Sequence, residues 1–375
     1  ATVILLIPGV MSDWESWTDS MPRCVQSGIG VVQNAKYNGG MMRHTHDFMH
    51  KCLNLSQNGI QFYGIFCAYN GDTRAAKYVS NRLVYEIFVE NPITVDMSPE
   101  QIQEALTHKF TMVSELYNQD INELLTKRLL HKEQSTEESE TMVKKINSKL
   151  RAGSTALVAL VVLDHIYIVN CGNSRILALF VEGTNSDDWQ LNEEHDLDNQ
   201  EEVERLKNIG IVAETFPRPT RAVGDCFRGF CYTENEEFKG ITGPPVISTP
   251  DVYVYDMEDQ WTHLLLCSDS VVSSIEELGT EPEKVNPFLL SELLRERDHS
   301  HTKSCISLAQ NSLSLEDTLD TDETETPVPY VDLDGFDEHK AANEVREDID
   351  RIFVAMDRKN IQKDSIEEEP YSISI

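Results

Sequence analysis

Long apolar runs along the chain predict a buried β-sheet. Residues 157–163 and 166–169 are almost entirely apolar, and only a polar Asp-His pair separates them. Two such runs joined by a two-residue turn predict a β-hairpin, and strands without polar alternation are typical of a sheet that is covered on both faces. The apolar runs at 62–66 and 264–267 predict further strands.

A helical spacing of apolar residues follows a start signal at Ser98. Ser98 and Gln101 have the spacing of a capping box, and Pro99 suits the first turn of a helix. The apolar residues that then recur at helical intervals are Ile102, Leu106, Phe110, Val113, Tyr117, Ile121 and Leu124. They predict an amphipathic helix. The polar stretch 131–148 predicts a loop or an exposed helix end.

The composition changes after about Leu315. Residues 316–326 are acidic and rich in Thr, without apolar periodicity, which predicts a disordered linker. Beyond it, apolar residues return at helical spacing, at Val345, Ile349, Ile352, Phe353 and Met356. They predict a short amphipathic helix whose apolar face fits a partner groove or folds back on the main domain.

These patterns divide the chain into four predicted parts. The parts are a folded domain at 1–314, an acidic disordered linker at 315–328, a binding segment with the amphipathic helix at 329–358, and a disordered C-terminus at 359–375.

The charge of the chain argues against two classes of partner. Asp and Glu number 64 against 32 Lys and Arg, which gives a formal net charge of −32. A chain this negative repels nucleic acid and anionic membrane surfaces, so we expect neither as a main partner. Basic surfaces or neutral grooves are the partners that this charge favours.

Cysteine usage and the N-terminal segment both bear on location. The eight cysteines include no CxxC pair and no zinc spacing, and most lie in apolar runs, which favours reduced, buried thiols and a cytoplasmic location. The apolar segment 1–7 lacks a basic region and is too short to span a bilayer, so we interpret it as a strand. No other run is long enough for a transmembrane helix.

A series of short motifs links residues 17–312 to a known family. In chain order they are Tyr-Gly-Ile-Phe at 63–66, Gly-Ser-Thr-Ala at 153–156, Asn-Cys-Gly-Asn-Ser-Arg at 170–175, Leu-Asn-Glu-Glu-His at 191–195, Glu204-Arg205 with Gly210, Thr-Arg-Ala-Val-Gly-Asp at 220–225, Val-Ile-Ser-Thr-Pro at 246–250 and Leu-Leu-Cys-Ser-Asp at 265–269. Each motif is weak alone, but in this order they resemble the metal-dependent Ser/Thr phosphatases of type 2C. The resemblance implies an α+β fold, a β-sandwich flanked by helices in α/β/β/α layers.

The family's chemistry depends on two divalent ions that hold phosphate and activate a bridging water. Mg²⁺ and Mn²⁺ require oxygen ligands, and carboxylates supply most of them in this family. At the corresponding positions this chain has Cys67, Ala68, Tyr69, Asn173 and Ser304, so that Asp269 alone keeps a carboxylate. The comparison with the family predicts a pseudophosphatase without metal cofactors.

Two of these residues permit another interpretation. Cys67 could bind a soft ion as a thiolate, but a single Cys without nearby Cys or His spacing is a poor site, so a buried apolar thiol is favoured. Asp269, like Asp225 in the 220–225 motif, is expected to cap a turn.

The C-terminal part resembles one non-catalytic branch of the family, whose members bind and activate a MAP kinase kinase kinase of the TGF-β-activated type. The branch carries a short kinase-binding segment beyond a linker, and here Tyr330, Val331, Asp332, Leu333 and Phe336 stand in that place. The resemblance implies that these residues bind the kinase, that the predicted helix with Val345, Ile349, Ile352 and Phe353 adds surface, and that the kinase's autophosphorylation is promoted. It also implies stress MAP kinase or Wnt-linked signalling, with the folded domain as a docking platform for other signalling proteins.

Two other functions compete with this hypothesis, and a purely structural role is a third alternative that leaves the aromatic residues of the C-terminal segment unexplained. The first is a weakly active or remodelled Mn²⁺- or Mg²⁺-dependent protein Ser/Thr phosphatase. The second is a phosphoprotein-binding decoy that uses the cleft without hydrolysis, although phosphate recognition without metals depends on Arg, and the expected N-terminal Arg is missing.

Overall fold

Two antiparallel sheets stack face to face in the computed structural model of the protein. The structure describes residues 18, 21–24, 27–32, 50–70, 72–134, 136–182, 185–213, 216–277, 280–295 and 351–357. The strands are β1 (Ser27–Val32), β2 (His50–Gln57), β3 (Ile60–Tyr69), β4 (Gly153–Val162), β5 (His165–Cys171), β6 (Arg175–Glu182), β7 (Asn185–Gln190), β8 (Val223–Gly224), β9 (Asp251–Asp256), β10 (His263–Cys267) and β11 (Arg351–Asp357). One sheet has the order β2-β3-β4-β5-β9, with β8 paired to β4, and the other has the order β1-β11-β10-β6-β7.

Helices cover the outer face of each sheet. They are α1 (Arg74–Phe88), α2 (Pro99–Asp120), α3 (Asn122–Gln134), α4 (Glu137–Arg151), α5 (Gln200–Asn208), α6 (Asp269–Glu277) and α7 (Pro282–Arg295). One apolar cluster joins α1 and α2 to the first sheet, a second lies between the sheets, and a third joins α6 and α7 to the second sheet. The predicted α+β fold with α/β/β/α layers is confirmed. No helix among the described residues is long and apolar enough to cross a membrane.

The continuous apolar runs form strands that are covered on both faces, as their pattern predicts. Along β4, Val158 and Leu160 face the helix-side cluster, whereas Leu157 and Ala159 face the cluster between the sheets. Side chains alternate between the two faces of a strand, so a strand that is covered on both faces needs apolar residues at every position. The β4–β5 hairpin is confirmed, but its turn is Leu163-Asp164 and not the predicted Asp164-His165, since Val162 lies opposite His165.

The predicted start of α2 is confirmed in detail. The Ser98 hydroxyl accepts a bond from the Gln101 backbone N–H at 3.3 Å, and the Gln101 side chain accepts one from the Ser98 N–H at 2.9 Å. The polar stretch 131–148 is mostly helical and ends within α4, so its interpretation as a loop is wrong. Thr136 caps α4, and acidic residues fill its first turn, which stabilises a helix with few buried side chains.

The C-terminal helix prediction is wrong where the structure describes it. Residues 351–357 form β11, an inner strand between β1 and β10, with Phe353 opposite both Gly30 and Cys267. The five residues 352–356 are all apolar between Arg351 and Asp357, and a short apolar run with charged ends suits a doubly flanked strand as well as a helix. Sheet pairing decided between them.

This strand also changes the predicted domain boundaries. The sheet of the folded domain contains residues from beyond position 314, and the segment predicted to bind a partner ends inside that sheet. The linker at 315–328, the C-terminus at 359–375 and the positions Val345 and Ile349 lie outside the described residues.

A buried lysine of α2 caps the C-terminal end of α1. The Lys109 ammonium lies inside the protein and donates to the backbone oxygens of Glu86, Glu90 and Asn91 at 2.6, 2.9 and 2.9 Å. A cation at this point satisfies carbonyls that the helix itself leaves without partners, and it complements the negative end of the helix dipole. It also ties α1 to α2.

Replacement of this lysine tests that interaction. We expect Lys109→Met, which keeps the alkyl chain and removes the three donors, to lower the free energy of unfolding by about 2–3 kcal/mol. Chemical denaturation measures the change. The exposed Lys127→Met variant is the matched control, because Lys127 only pairs with Glu123 on the helix surface, and a cost of about 0.5 kcal/mol or less is expected there. Equal costs at the two positions would contradict the capping role.

Candidate functional site

The end of β3 holds three of the residues that the sequence singles out. Cys67 packs partly buried against the cluster between the sheets, and its Sγ lies 3.9 Å from the Ser174 Oγ. Ala68 is buried in the helix-side core. The thiol at position 67 therefore has apolar surroundings and a hydroxyl neighbour, which fits the interpretation as a buried thiol better than a soft-ion site.

Tyr69 binds a buried ion pair. Its hydroxyl donates to the Asp225 Oδ2 at 3.1 Å, and the same oxygen accepts from the Arg228 Nε at 2.6 Å. The Arg228 guanidinium carbon lies 5.5 Å from the centre of the Tyr69 ring. Burial raises the pKa of Tyr69 well above its usual range, and the Asp225 charge adds to this, so the phenol remains a neutral donor.

The phenol of Tyr69 occupies space that a side chain at Gly153 would need. A Cβ at Gly153 would lie 2.4 Å from the Tyr69 Oη, so the position of this phenol requires glycine at the start of β4. Asp225 has a positive φ of 47° and its N–H donates to the Ala152 oxygen at 2.9 Å. These contacts make Tyr69 and Asp225 parts of one turn-stabilising cluster, which confirms the structural interpretation of Asp225.

The turn after β5 carries the second site position, Asn173, which is buried. Gly172 precedes it with a φ of 143°, and a Cβ there would lie 2.3 Å from the Thr155 Cβ. Two hydrogen bonds hold the turn to His195: the Gly172 N–H donates to the His195 Nδ1, and the His195 N–H donates to the Gly172 oxygen, both at 3.0 Å. The turn is packed too closely for any residue but glycine at position 172.

The contacts of His195 define its tautomer. Because Nδ1 accepts from a backbone N–H, the proton is on Nε2, which donates to the Asp251 Oδ2 at 2.9 Å. The His195 bond, together with the charge of Arg221, lowers the pKa of Asp251 to about 2. His195 therefore acts as a buried structural link between the β5–β6 turn and the start of β9.

A second buried carboxylate organises the 220–225 motif. Glu202 accepts from Arg205, from Arg221 and from the Thr220 hydroxyl, the last at 2.7 Å. Burial alone would raise the pKa of Glu202, but these hydrogen bonds outweigh it and lower the pKa to about 2. The arginines of two family-like motifs thus bind one glutamate inside the protein. Glu202 lies three residues before Arg205, and this spacing is the sequence signal that could have pointed to it.

Asp269 begins α6 and keeps the carboxylate that the sequence predicts. Its Oδ1 accepts from the Ser273 hydroxyl at 3.3 Å, one turn along the helix. Burial raises the pKa of Asp269 to about 7, with a further contribution from Glu194 and an opposing one from Arg218. This contact ties the carboxyl to the first turn of α6, and the capping of a turn by Asp269 stays a prediction.

The donor set at these positions does not fit a pair of hard ions. A thiol, a methyl group, a phenol and an amide stand at 67, 68, 69 and 173, and only Asp269 brings a carboxylate. Mg²⁺ and Mn²⁺ bind through several oxygen ligands, with carboxylates foremost. Among the residues with described side chains, no group of three or more His, Cys, Asp or Glu is arranged to hold a metal ion. Ser304 lies outside the described residues.

A comparison with protein families decides the relationship. The family described as "Protein phosphatase 2C" matches residues 78–277, which is more than half of the chain. The chain belongs to the protein phosphatase 2C family. The match covers the strands β4 to β10, the part of α1 from residue 78 onward, and the helices α2 to α6.

Individual proteins resemble this chain in sequence or in fold to different degrees. The chain is 38% identical over 301 residues, 79% of this chain and 75% of the other, to "TGF-beta-activated kinase 1 and MAP3K7-binding protein 1" of Caenorhabditis elegans. This confirms the resemblance to the kinase-binding branch. The chain is also 24% identical over 305 residues, 75% of this chain and 57% of the other, to "Probable protein phosphatase 2C 71" of Arabidopsis thaliana. A serine-threonine phosphatase 2C structure from Toxoplasma gondii shares the fold, at a TM-score of 0.52 and 12% identity, over 90% of this chain and 97% of that one.

The structure places some of the predicted site residues at strand and helix ends, places others inside a sheet, and does not describe the rest. Cys67 and Tyr69 lie in the last three residues of β3, Asn173 lies in the turn after β5, and Asp269 lies at the start of α6. Ile352 and Phe353 lie in β11, inside a sheet. The segment from Tyr330 to Phe336 lies outside the described residues. Sequence reasoning missed Glu202, Asp251 and Arg228. Arg205 lies three residues after Glu202, and Asp225 lies three residues before Arg228, so the spacing of opposite charges was a signal for these two pairs. His195 lies 56 residues from Asp251 and meets it only in the fold.

The raised pKa of Asp269 predicts a pH-dependent cost to folding. A carboxyl whose pKa is higher in the folded protein contributes most below its unfolded pKa, and this contribution is lost as the pH rises through the folded value of about 7. We therefore expect the stability gained through Asp269→Asn to grow by about 1–3 kcal/mol between about pH 4 and about pH 8. Unfolding curves across this range measure it.

The exposed Asp164→Asn variant supplies the baseline for removal of one carboxylate. If the free energy of unfolding gained through Asp269→Asn did not change with pH, the carboxyl would ionise in the folded protein as it does in water.

Proposed function

We propose that this chain is a non-catalytic regulatory protein that binds and activates a MAP kinase kinase kinase of the TGF-β-activated type. The observation that carries the proposal is the 38% identity, over most of both chains, to a protein whose name states that it binds such a kinase. The more distant resemblance to phosphatases shows ancestry of the fold, and fold alone does not define activity.

The chemistry of the former metal positions supports the non-catalytic part of the proposal. The substituted groups have structural partners: the Tyr69 phenol binds Asp225, and the Cys67 thiol lies beside Ser174. A dinuclear phosphatase centre needs carboxylates that converge on two ions, and these side chains are instead used in holding turns together. A pseudophosphatase is the consistent interpretation.

The position of β11 reduces the set of residues that we assign to the kinase contact. Ile352 and Phe353 lie between two hydrogen-bonded neighbours in the sheet, so their use in a kinase interface would require an inner strand to leave the domain. We therefore assign the contact to Tyr330, Leu333 and Phe336, with Val331 and Asp332 between them. Buried aromatic anchors carry much of the energy of such interfaces. Val345 and Ile349 remain predicted contacts.

Activation follows if the segment binds the active kinase conformation more tightly than the inactive one. A ligand with that preference shifts the population toward the active state and thereby promotes autophosphorylation of the kinase's activation loop. The folded domain would then serve as a platform for other signalling proteins in the cytoplasm. Assignment to stress MAP kinase or Wnt-linked signalling stays a prediction.

The test uses the full-length chain with point substitutions. A truncation before Tyr330 would also remove β11 from its sheet, so loss of activity could reflect unfolding. We expect the double variant Tyr330→Ala/Phe336→Ala to bind the kinase at least about tenfold more weakly, because each aromatic anchor contributes more than about 1 kcal/mol. Binding and activation-loop phosphorylation of the purified kinase are measured together.

The Tyr371→Ala variant is the matched control, since it removes an aromatic residue beyond the proposed contact. Full binding and activation by the double variant would overturn the assignment to 330–336. Failure of the unaltered chain to bind or activate the kinase would overturn the proposed function itself.

A second experiment tests the absence of catalysis. We expect the purified chain to hydrolyse p-nitrophenyl phosphate no faster in millimolar Mn²⁺ than in chelator, because only Asp269 keeps a carboxylate at the described positions. Asp269→Ala is the control variant. Mn²⁺-dependent turnover that this substitution abolishes would establish the competing enzyme hypothesis.

A further inference from the structure

A pair of thiols lies in the segment that follows Asp225. Cys226 is fully buried, and Cys231 is 9% exposed; both belong to the core cluster beneath α2 and α4. The exposed Phe230 stands next to Cys231 in the chain, so the second thiol lies close to the surface. Neither side chain takes part in the contacts of the former metal positions.

Backbone hydrogen bonds hold the two cysteines together. The Cys226 N–H donates to the Leu150 oxygen at 2.8 Å, and the Cys231 N–H donates to the Cys226 oxygen at 2.8 Å. Within this turn the Gly229 N–H donates to the Asp225 oxygen at 2.7 Å, an approach so close that a Cβ at position 229 would lie 3.1 Å from the same oxygen. The turn therefore holds the two α-carbons close together, as disulfide geometry requires.

The side chains are also in contact. An interaction between the two thiols raises the pKa of Cys226 and lowers that of Cys231. The Arg128 guanidinium, 5.0 Å from the Phe227 ring, acts to lower both pKa values, against the effect of Glu234. By contrast, burial raises the pKa of Cys267 to about 12. The more reactive thiolate of the pair is thus the one nearer to solvent.

We propose that Cys226 and Cys231 form a redox-active dithiol that hydrogen peroxide converts to an intramolecular disulfide. The Cys231 sulfur attacks one peroxide oxygen, the O–O bond breaks, and the departing hydroxide takes up a proton to become water. Cys231 is then a sulfenic acid. The Cys226 sulfur attacks the Cys231 sulfur, the S–O bond breaks, and the hydroxide leaves with the Cys226 proton as a second water. Two thiols lose two electrons, and one peroxide becomes two waters.

The disulfide would join the two ends of the turn that carries Arg228. Arg228 and the adjacent Asp225 hold the Tyr69 hydroxyl at the end of β3. Oxidation would therefore restrain the turn that supports the former metal position. This modification is independent of the proposed kinase binding, since it involves none of the residues assigned to that contact.

Peptide mapping of the full-length protein tests the proposal directly. Trypsin cuts after Arg221, Arg228 and Lys239, so each thiol is released in its own peptide, 222–228 and 229–239. After peroxide treatment of the folded protein, alkylation and digestion, we expect these two peptides joined, at a mass two hydrogen atoms below their sum. The fully buried Cys171 and Cys267 are the internal controls, and at least about tenfold less oxidation is expected there because thiolate character and access control the rate.

A variant separates the two steps. In Cys226→Ala the disulfide has no second sulfur, so dimedone should trap a sulfenic acid at Cys231. Recovery of both wild-type peptides with alkylated thiols would overturn the proposal, as would oxidation of Cys231 no faster than of Cys171. Because the mapping uses the unaltered chain, its result does not depend on whether the variant folds.

Discussion

The double coverage of the two sheets is the constraint on which the rest of the structure depends. Each inner strand contributes alternate side chains to two different apolar clusters, as β4 does with Val158 on one face and Leu157 on the other. A shift of one residue in such a strand would exchange the two sets, so the register is strongly specified. The strand ends and the turns that follow them are thereby held in fixed positions, with Cys67 and Tyr69 at the end of β3 and Asn173 in the turn after β5.

Buried and half-buried polar groups then join the turns to one another. Asp225, Glu202 and Asp251 are carboxylates that pair with arginines, and each binds groups from at least two separate segments. A buried charge is tolerated only with partners in good geometry, so these networks restrict the turns to one arrangement. The chain keeps the fold of the protein phosphatase 2C family, and Tyr69 and Asp225 contribute a hydrogen bond that links two of its segments.

The C-terminal strand connects the framework to the proposed function. Because β11 lies between β1 and β10, the chain that follows α7 returns to the domain after the segment with Tyr330 and Phe336. Contacts of that segment with a kinase would thus be made by a stretch anchored to the sheet at its far end. Such an anchor limits the distance between a bound kinase and the domain, and so favours simultaneous binding of other partners.

Local sequence patterns determined much of this protein. The capping box at Ser98, the hairpin of β4 and β5, and the order of family-like motifs follow from spacing and polarity alone, because they depend on neighbours in the chain. The tertiary structure decided the rest. The apolar run 352–356 suits a helix or a strand, and pairing with β1 on one side and β10 on the other makes it a strand. Likewise, the sequence shows that Tyr69 replaces a family residue, but its partner Asp225 lies 156 residues away in the chain, and only folding brings the two together.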